Sequence, residues 1–166
     1  TYGAQKVSVR NYYVVNPDYA VDEKVDLYLN SSGKVVKLRR LTPSTNETFM
    51  LEEYVYDSRG NIIDHWYREH NFGNPDYKVS YTYDPKKNPF YYAFKKRYQS
   101  TYYLECWTGV PIMHFRGMCP NNTVTAGYDI QYTYTYNEQG YPTSSVKTYE
   151  NGGSTPAVSK YNFVYW

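Results

Sequence analysis

Four stretches of the chain alternate apolar and polar positions up to a turn and then resume. They read LYLNSSGKVV from Leu27, YVYDSRGNII from Tyr54, YTYDPKKNPF from Tyr81 and YTYNEQGYPT from Tyr134. The residues that open the turns, Asn30, Asp57, Asp84 and Asn137, stand 27, 27 and 53 apart, the last separation close to twice the others. Gly follows three positions later at Gly33, Gly60 and Gly140, whereas Lys87 takes that place after Asp84. Asp or Asn opening a type I turn, with a left-handed Gly closing it, predicts a hairpin connection. A repeat of one hairpin per unit predicts an array of antiparallel strands.

Counting back from each turn separates two faces, because side chains alternate along a strand. One, three and five positions before the turns stand Leu29, Leu27 and Val25, then Tyr56, Tyr54 and Glu52, then Tyr83, Tyr81 and Val79, then Tyr136, Tyr134 and Tyr132. The first set marks the apolar face, so the tyrosines of the later units belong on the covered side of the sheet. The positions between them are Tyr28 and Val55 and the polar Asp26, Glu53, Ser80, Thr82, Thr133 and Thr135. A transmembrane barrel needs about 10 residues per strand with an apolar outer band, so a soluble sheet is expected. Each covered tyrosine hydroxyl needs a partner or costs about 1–3 kcal/mol, which suggests that some of them stay wet.

The predicted fold is therefore all-β: an antiparallel up-and-down meander of ten to twelve strands, as a curved sheet or half-barrel, forming a single domain over residues 1–166. An additional strand is expected around Lys6–Arg10. One short helix is expected after Asp84, with Asn88 as its N-cap, Pro89 in its first position, Phe90, Phe94 and Tyr98 four apart, and Lys95, Lys96 and Arg97 near its end; a strand is the alternative. The least regular part runs from Ser100 to Thr125.

Composition changes this picture in one respect. Leu, Ile, Val and Phe make up just under a fifth of the 166 residues, a level that warns of disorder in a highly charged chain. The net charge is only +2, and 24 Tyr and 3 Trp supply large apolar area, so a folded domain with an aromatic core is expected. The balance of 18 basic and 16 acidic residues argues against a nucleic-acid partner. No apolar run approaches the roughly 20 residues of a membrane helix. The chain opens with Thr1, which fits the removal of a leader or of a lipid-anchored segment upstream, or a chosen boundary. Cys106 and Cys119 suit a disulfide closing one loop, worth about 3 kcal/mol in the loop-entropy model and implying export. Two buried thiols are the alternative.

The phrases LEEYVYDSRGNI, TYDPKKNPF and CPNNTVT, the last followed by YTYTYNEQGYPTS, resemble a domain-of-unknown-function family from gut Gram-negative bacteria. The resemblance covers about Leu51 to Trp166 and reaches the N-terminal quarter only through the Asn30 turn. It implies a porin-like β fold and export, often as a lipoprotein, to the periplasm or the outer-membrane surface. The insert that carries the cysteines departs from the family, which has no assigned activity and no catalytic residues to transfer.

Candidate chemistry is sparse. His65 and His70, five apart, point to opposite faces of a regular strand, and with His114 they read as ordinary or satisfied histidines. Glu52 and Glu53 are adjacent and so also face apart. There is no nucleophile elbow, phosphate-binding loop or nucleotide fingerprint. No spacing suggests a metal site or a cofactor, and Asp57 and Asp84 read as turn caps rather than calcium ligands. No enzyme is expected. The remaining signal is aromatic: Trp66, Tyr67, Tyr102, Tyr103 and Trp107 fall outside the inward pattern or in the irregular insert. Exposed rings can stack on sugars or grip extended peptides. The expected function is a non-catalytic envelope protein that binds a polysaccharide or another extended ligand. The alternative is an assembly subunit that contacts envelope proteins.

Overall fold

The computed structural model describes residues 5–16, 19–69, 76–92, 119–150 and 155–164. Among these residues ten strands run up and down and are hydrogen-bonded in sequence order. They are β1 (Gln5–Asn16), β2 (Tyr19–Leu29), β3 (Val35–Leu41), β4 (Thr48–Tyr56), β5 (Ile62–Glu69), β6 (Tyr77–Lys87), β7 (Asn121–Ala126), β8 (Ile130–Tyr136), β9 (Pro142–Tyr149) and β10 (Ala157–Asn162). The fold is thus the antiparallel meander expected from the repeat, with β1 as the additional N-terminal strand. A helical turn over residues 89–92 follows β6. Asn88 caps it by accepting the Phe90 N–H at 3.0 Å. Pro89 stands in the first position, where its missing N–H is no loss.

The turns are built as their sequences require. The side-chain oxygen of Asn30 accepts the N–H groups of Ser32 and Lys34, and that of Asp57 accepts those of Arg59 and Asn61. Asn137 accepts the Tyr141 N–H in the same way. Gly33, Gly60 and Gly140 sit at φ of 73°, 92° and 80°, left-handed backbone that a side chain would strain.

Asp84 accepts the Lys86 N–H at 2.9 Å as the other openers accept theirs, yet it does not open a hairpin turn. β6 continues through it to Lys87, and its register against β7 shifts between Tyr83 and Lys87. The reason lies in the missing glycine. Lys87 cannot easily take the left-handed closure, and the strand that follows β6 in the sheet begins only at Asn121.

A second departure recurs after the turns. Leu29 pairs with Val35 but Tyr28 pairs with Lys37, and Tyr136 pairs with Pro142 but Thr135 with Ser144. One residue, Val36 or Thr143, is left over each time, which is a β-bulge. Strict alternation counted forward from a turn therefore slips by one. β3 and β9 show the result, with buried residues three apart at Val35 and Leu38 and at Pro142 and Ser145, and β5 has the same spacing at Ile62 and His65.

The chain divides into two compact units. In the first, residues 1–55 and 65–78, the covered face is aliphatic. Val25, Leu27, Leu29, Val35 and Leu38 are buried, with Leu27 directly opposite Leu38 and Leu38 opposite Glu52. Its outward face is polar but not uniformly exposed. Asp26, expected on the surface, is 3% exposed because Ser8 donates to it at 2.6 Å and the Lys6 ammonium covers it at 2.8 Å. Burial opposes ionisation of Asp26, but these two donors outweigh it and hold the carboxyl below its ordinary range.

In the second unit, residues 56–64 and 79–166, the covered face is tyrosine and asparagine. Tyr81 and Tyr132 are buried, and Tyr132, Tyr134 and Tyr136 form a column with ring centroids 6.3 and 6.0 Å apart. The hydroxyls of Tyr83, Tyr134 and Tyr136 are tied to protein atoms. Tyr83 donates to the Ile62 carbonyl at 2.6 Å, Tyr134 to the Thr123 carbonyl at 2.9 Å, and Tyr136 to Asp84. Ser80, Thr82, Thr133 and Thr135 are exposed on the opposite face, as the pattern predicted.

Candidate functional site

Two features of β5 matter, one on each face. On the covered face of the first unit, three strands place polar, ionisable side chains in the aliphatic row. β3 supplies Arg40, two positions beyond Leu38, and β4 supplies Glu52, opposite Leu38. β5 supplies His65, which the three-residue spacing from Ile62 puts on this side. The Glu52 carboxylate accepts hydrogen bonds on Oε2 from the Tyr54 hydroxyl at 2.7 Å and from His65 Nε2 at 2.9 Å. Arg40 Nε lies 3.9 Å from Oε1. The Tyr54 and His65 rings stack at 4.9 Å, only 8° from parallel, so both donors are held in place. Burial alone would raise the Glu52 pKa, but the hydrogen bonds from His65 and Tyr54 and the charge of Arg40 outweigh it. The net result is a carboxyl below its ordinary range.

Tyr67 lies two residues further along the same face and donates to Glu69. Burial first, and then the Glu69 carboxylate, push its phenol up to about 12. It is therefore a donor within this charged row and not an outward ring.

Trp66, between His65 and Tyr67, points the other way. The ammonium of Lys78 lies 5.3 Å from its ring centroid. Around it the outward face carries a chain of charges: Lys37 to Glu53 at 3.7 Å, Glu53 to Arg68 at 3.5 Å, and Arg68 to Asp76 at 2.9 Å. Neighbouring Val55 is 44% exposed. This is an amphipathic ring bordered by paired donors and acceptors.

Of the aromatic candidates, the structure thus keeps Trp66 on the outward face and turns Tyr67 inward, so the pair is split. Tyr102, Tyr103, Cys106 and Trp107 lie outside the described residues, and with Cys106 goes the expected disulfide. Cys119 is fully buried, accepts the Ile62 N–H at 3.3 Å and lies 3.1 Å from the Tyr83 hydroxyl.

The NNTVT and KNPF phrases meet around Cys119. Asn61, fully buried, donates to Asp57 at 2.9 Å and to Asn121 Oδ1 at 3.0 Å, and accepts the Asn121 N–H at 3.0 Å. Asn88 donates to the Cys119 carbonyl at 2.8 Å, and Asn122 to the Lys87 carbonyl at 3.1 Å. These asparagines clasp the chain ends on either side of the insert, and their polar atoms are engaged in doing so.

The Arg40–Glu52–His65 centre is the grouping that residue spacing did not reveal. Its signal was present: Glu52 sits in an otherwise apolar or aromatic inward position, where an acid needs partners. Among the described residues no three His, Cys, Asp or Glu side chains gather as a metal site would require. Among the same residues no helix is long and apolar enough to cross a membrane.

No protein-family model and no curated protein matches the chain. Among solved structures it is similar to a porin-like protein from Bacteroides uniformis ATCC 8492, whose crystal structure was determined at 2.32 Å. The match spans 93% of this chain and 82% of that one, at 8% identity and a TM-score of 0.34. A likeness that loose says nothing of activity.

Proposed function

We propose that the protein is a non-catalytic binding protein of the bacterial envelope that holds a glycan, or another extended polar ligand, against the outward face at Trp66. The carrying observation is the placement of that ring, which faces out of the sheet beside Lys78 and the Glu53–Arg68–Asp76 ion pairs. An indole face stacks on a sugar ring, and flanking guanidinium and carboxylate groups orient its hydroxyls. The Glu52 carboxylate is committed to Tyr54, His65 and Arg40. The envelope location rests on the family resemblance of the Leu51–Trp166 phrases.

The test is intrinsic fluorescence of a chain carrying Trp107→Phe and Trp166→Phe, titrated with plant, host and microbial polysaccharides. Saturable quenching or a blue shift with one class, abolished by Trp66→Ala in the parent chain, is the expected outcome. A flat response across the panel sinks the reading. A second reading, an assembly subunit, is favoured by β10, in which all six residues are exposed.

A further inference from the structure

Among the described residues β10 stands at the end of the strand order and pairs with β9 alone. The ladder between them fixes which backbone groups face the open side. Phe163 donates to the Thr143 carbonyl at 3.0 Å, in line with the register that pairs Tyr161 with Ser145, Ser159 with Lys147 and Ala157 with Tyr149. Hydrogen-bonded pairs alternate with non-bonded ones in an antiparallel ladder, so these pairs exchange bonds with β9. Val158, Lys160 and Asn162 then turn their N–H and C=O groups away from β9, and no partner meets them among the described residues. Three donor–acceptor sets in a row are a template for one more strand.

Side chains select what that strand can be. Val158, Lys160 and Asn162 stand in register with Thr148, Val146 and Ser144, which in turn face Gln131, Thr133 and Thr135 of β8. Lys160 is thus the only charged side chain in this block of three strands on the outward face, and it has no ion pair among the described residues. A second copy paired about Lys160 would set two ammonium groups directly opposite. The neighbouring two-fold registers leave Lys160 against Val158 or Asn162, with its charge uncompensated. Directly opposed like charges destabilise a strand pair and opposed unlike charges stabilise it. Lysine on an edge also discourages indiscriminate pairing.

We propose that the open edge of β10 receives an extended segment of a different protein, with an Asp or Glu directly opposite Lys160. This rests on the assembly reading and adds the class of partner to it. The segment adds an eleventh strand through its main chain, and its acid gives it preference over other strands.

Residue-resolved amide exchange of the full chain, at low protein concentration, tests this. Alone, the amides of Val158, Lys160 and Asn162 exchange fast while those of Ser159 and Tyr161 are slowed. The blocked hexapeptide Thr-Val-Glu-Val-Thr-Val then slows the three fast amides saturably, binding about fivefold more tightly than its Glu-to-Lys counterpart. Lys160→Glu reverses that preference. Equal protection by both peptides would overturn the acidic partner while leaving edge assembly standing. Protection that grows with protein concentration alone would assign the edge to a second copy. No protection by either peptide, or slow exchange of the three amides at the outset, would overturn the proposal together with the assembly reading.

Discussion

The hairpins around Asn30 and Asn137 share their turn chemistry and the bulge that follows it, yet one covers aliphatic side chains and the other a column of tyrosines. In the first unit Val25, Leu27 and Leu38 ask nothing of their neighbours but volume. In the second, every covered ring brings a hydroxyl that must be bonded, and buried amides and backbone carbonyls accompany the rings. The difference implies two modes of failure. The aliphatic unit is vulnerable to lost volume, and the tyrosine unit to the loss of single polar atoms with little change in shape. The largest expected effect lies in the first: Leu27→Ala, at a position with no exposure, costs about 4 kcal/mol in denaturant unfolding. A cost below about 1 kcal/mol would mean that this face is not packed as described.

Asn61→Ala is the matching test in the second unit. It leaves Asp57, Asn121 Oδ1 and the Asn121 N–H each short of a partner, for about 3 kcal/mol in total. If the two units unfold as separate cooperative steps, Leu27→Ala shifts one transition and Asn61→Ala the other. If they share one transition, both variants move it. Thermal unfolding followed by far-ultraviolet dichroism distinguishes these outcomes.

What could be read from the sequence follows the same division. The turns at Asn30, Asp57 and Asn137, the covered leucines or tyrosines before them and the Asn88–Pro89 helix start are local, and local chemistry sufficed to place them. The bulges after the turns are not announced by any residue type at Val36 or Thr143, nor is the three-residue spacing of Ile62 and His65 in β5, and so the facing of β5 was hidden. Without that spacing, His65 would not share the face of Glu52, and the Arg40–Glu52 pair would have no third member. Asp84 carried half of a turn signal, and its missing glycine was the half that decided. Asn88 could be read as a helix cap, but only long-range pairing across the insert shows Asn61, Asn88 and Asn122 as a buried clasp.

The charged centre gives the comparison its pH dependence. Glu52 has a native pKa below its unfolded value of about 4.3. Its contribution is therefore fully present above that pH and is lost as pH falls through the native value. Asp26 and Asp57 are lowered as well and add in the same direction. Glu52→Gln should cost about 2 kcal/mol near neutrality, the scale of hydrogen bonds to a charged group, and should flatten the acid limb of stability. An acid limb as steep as in the parent chain would show that Asp26 and Asp57 account for it alone.

Tyr83→Phe is the smallest of these changes and the sharpest probe of the tyrosine unit, since it removes one oxygen and leaves the ring. The lost bond of 2.6 Å to the Ile62 carbonyl and the contact with Cys119 should cost about 1 kcal/mol. Burial, followed by the neighbouring thiol, raises the Tyr83 phenol well above its usual range. The neutral hydroxyl therefore contributes stability in full below the unfolded value of about 10, and this is lost as pH rises beyond it. The phenylalanine variant should accordingly lose less stability than the parent between neutral and strongly alkaline pH, with the two curves converging. In a spectrophotometric titration the parent should show a tyrosine that ionises only with unfolding, and the variant one fewer. A variant as stable as the parent at neutral pH, with the same alkaline limb, would mean that the second unit is held by ring packing alone, and the contrast with the aliphatic unit would collapse.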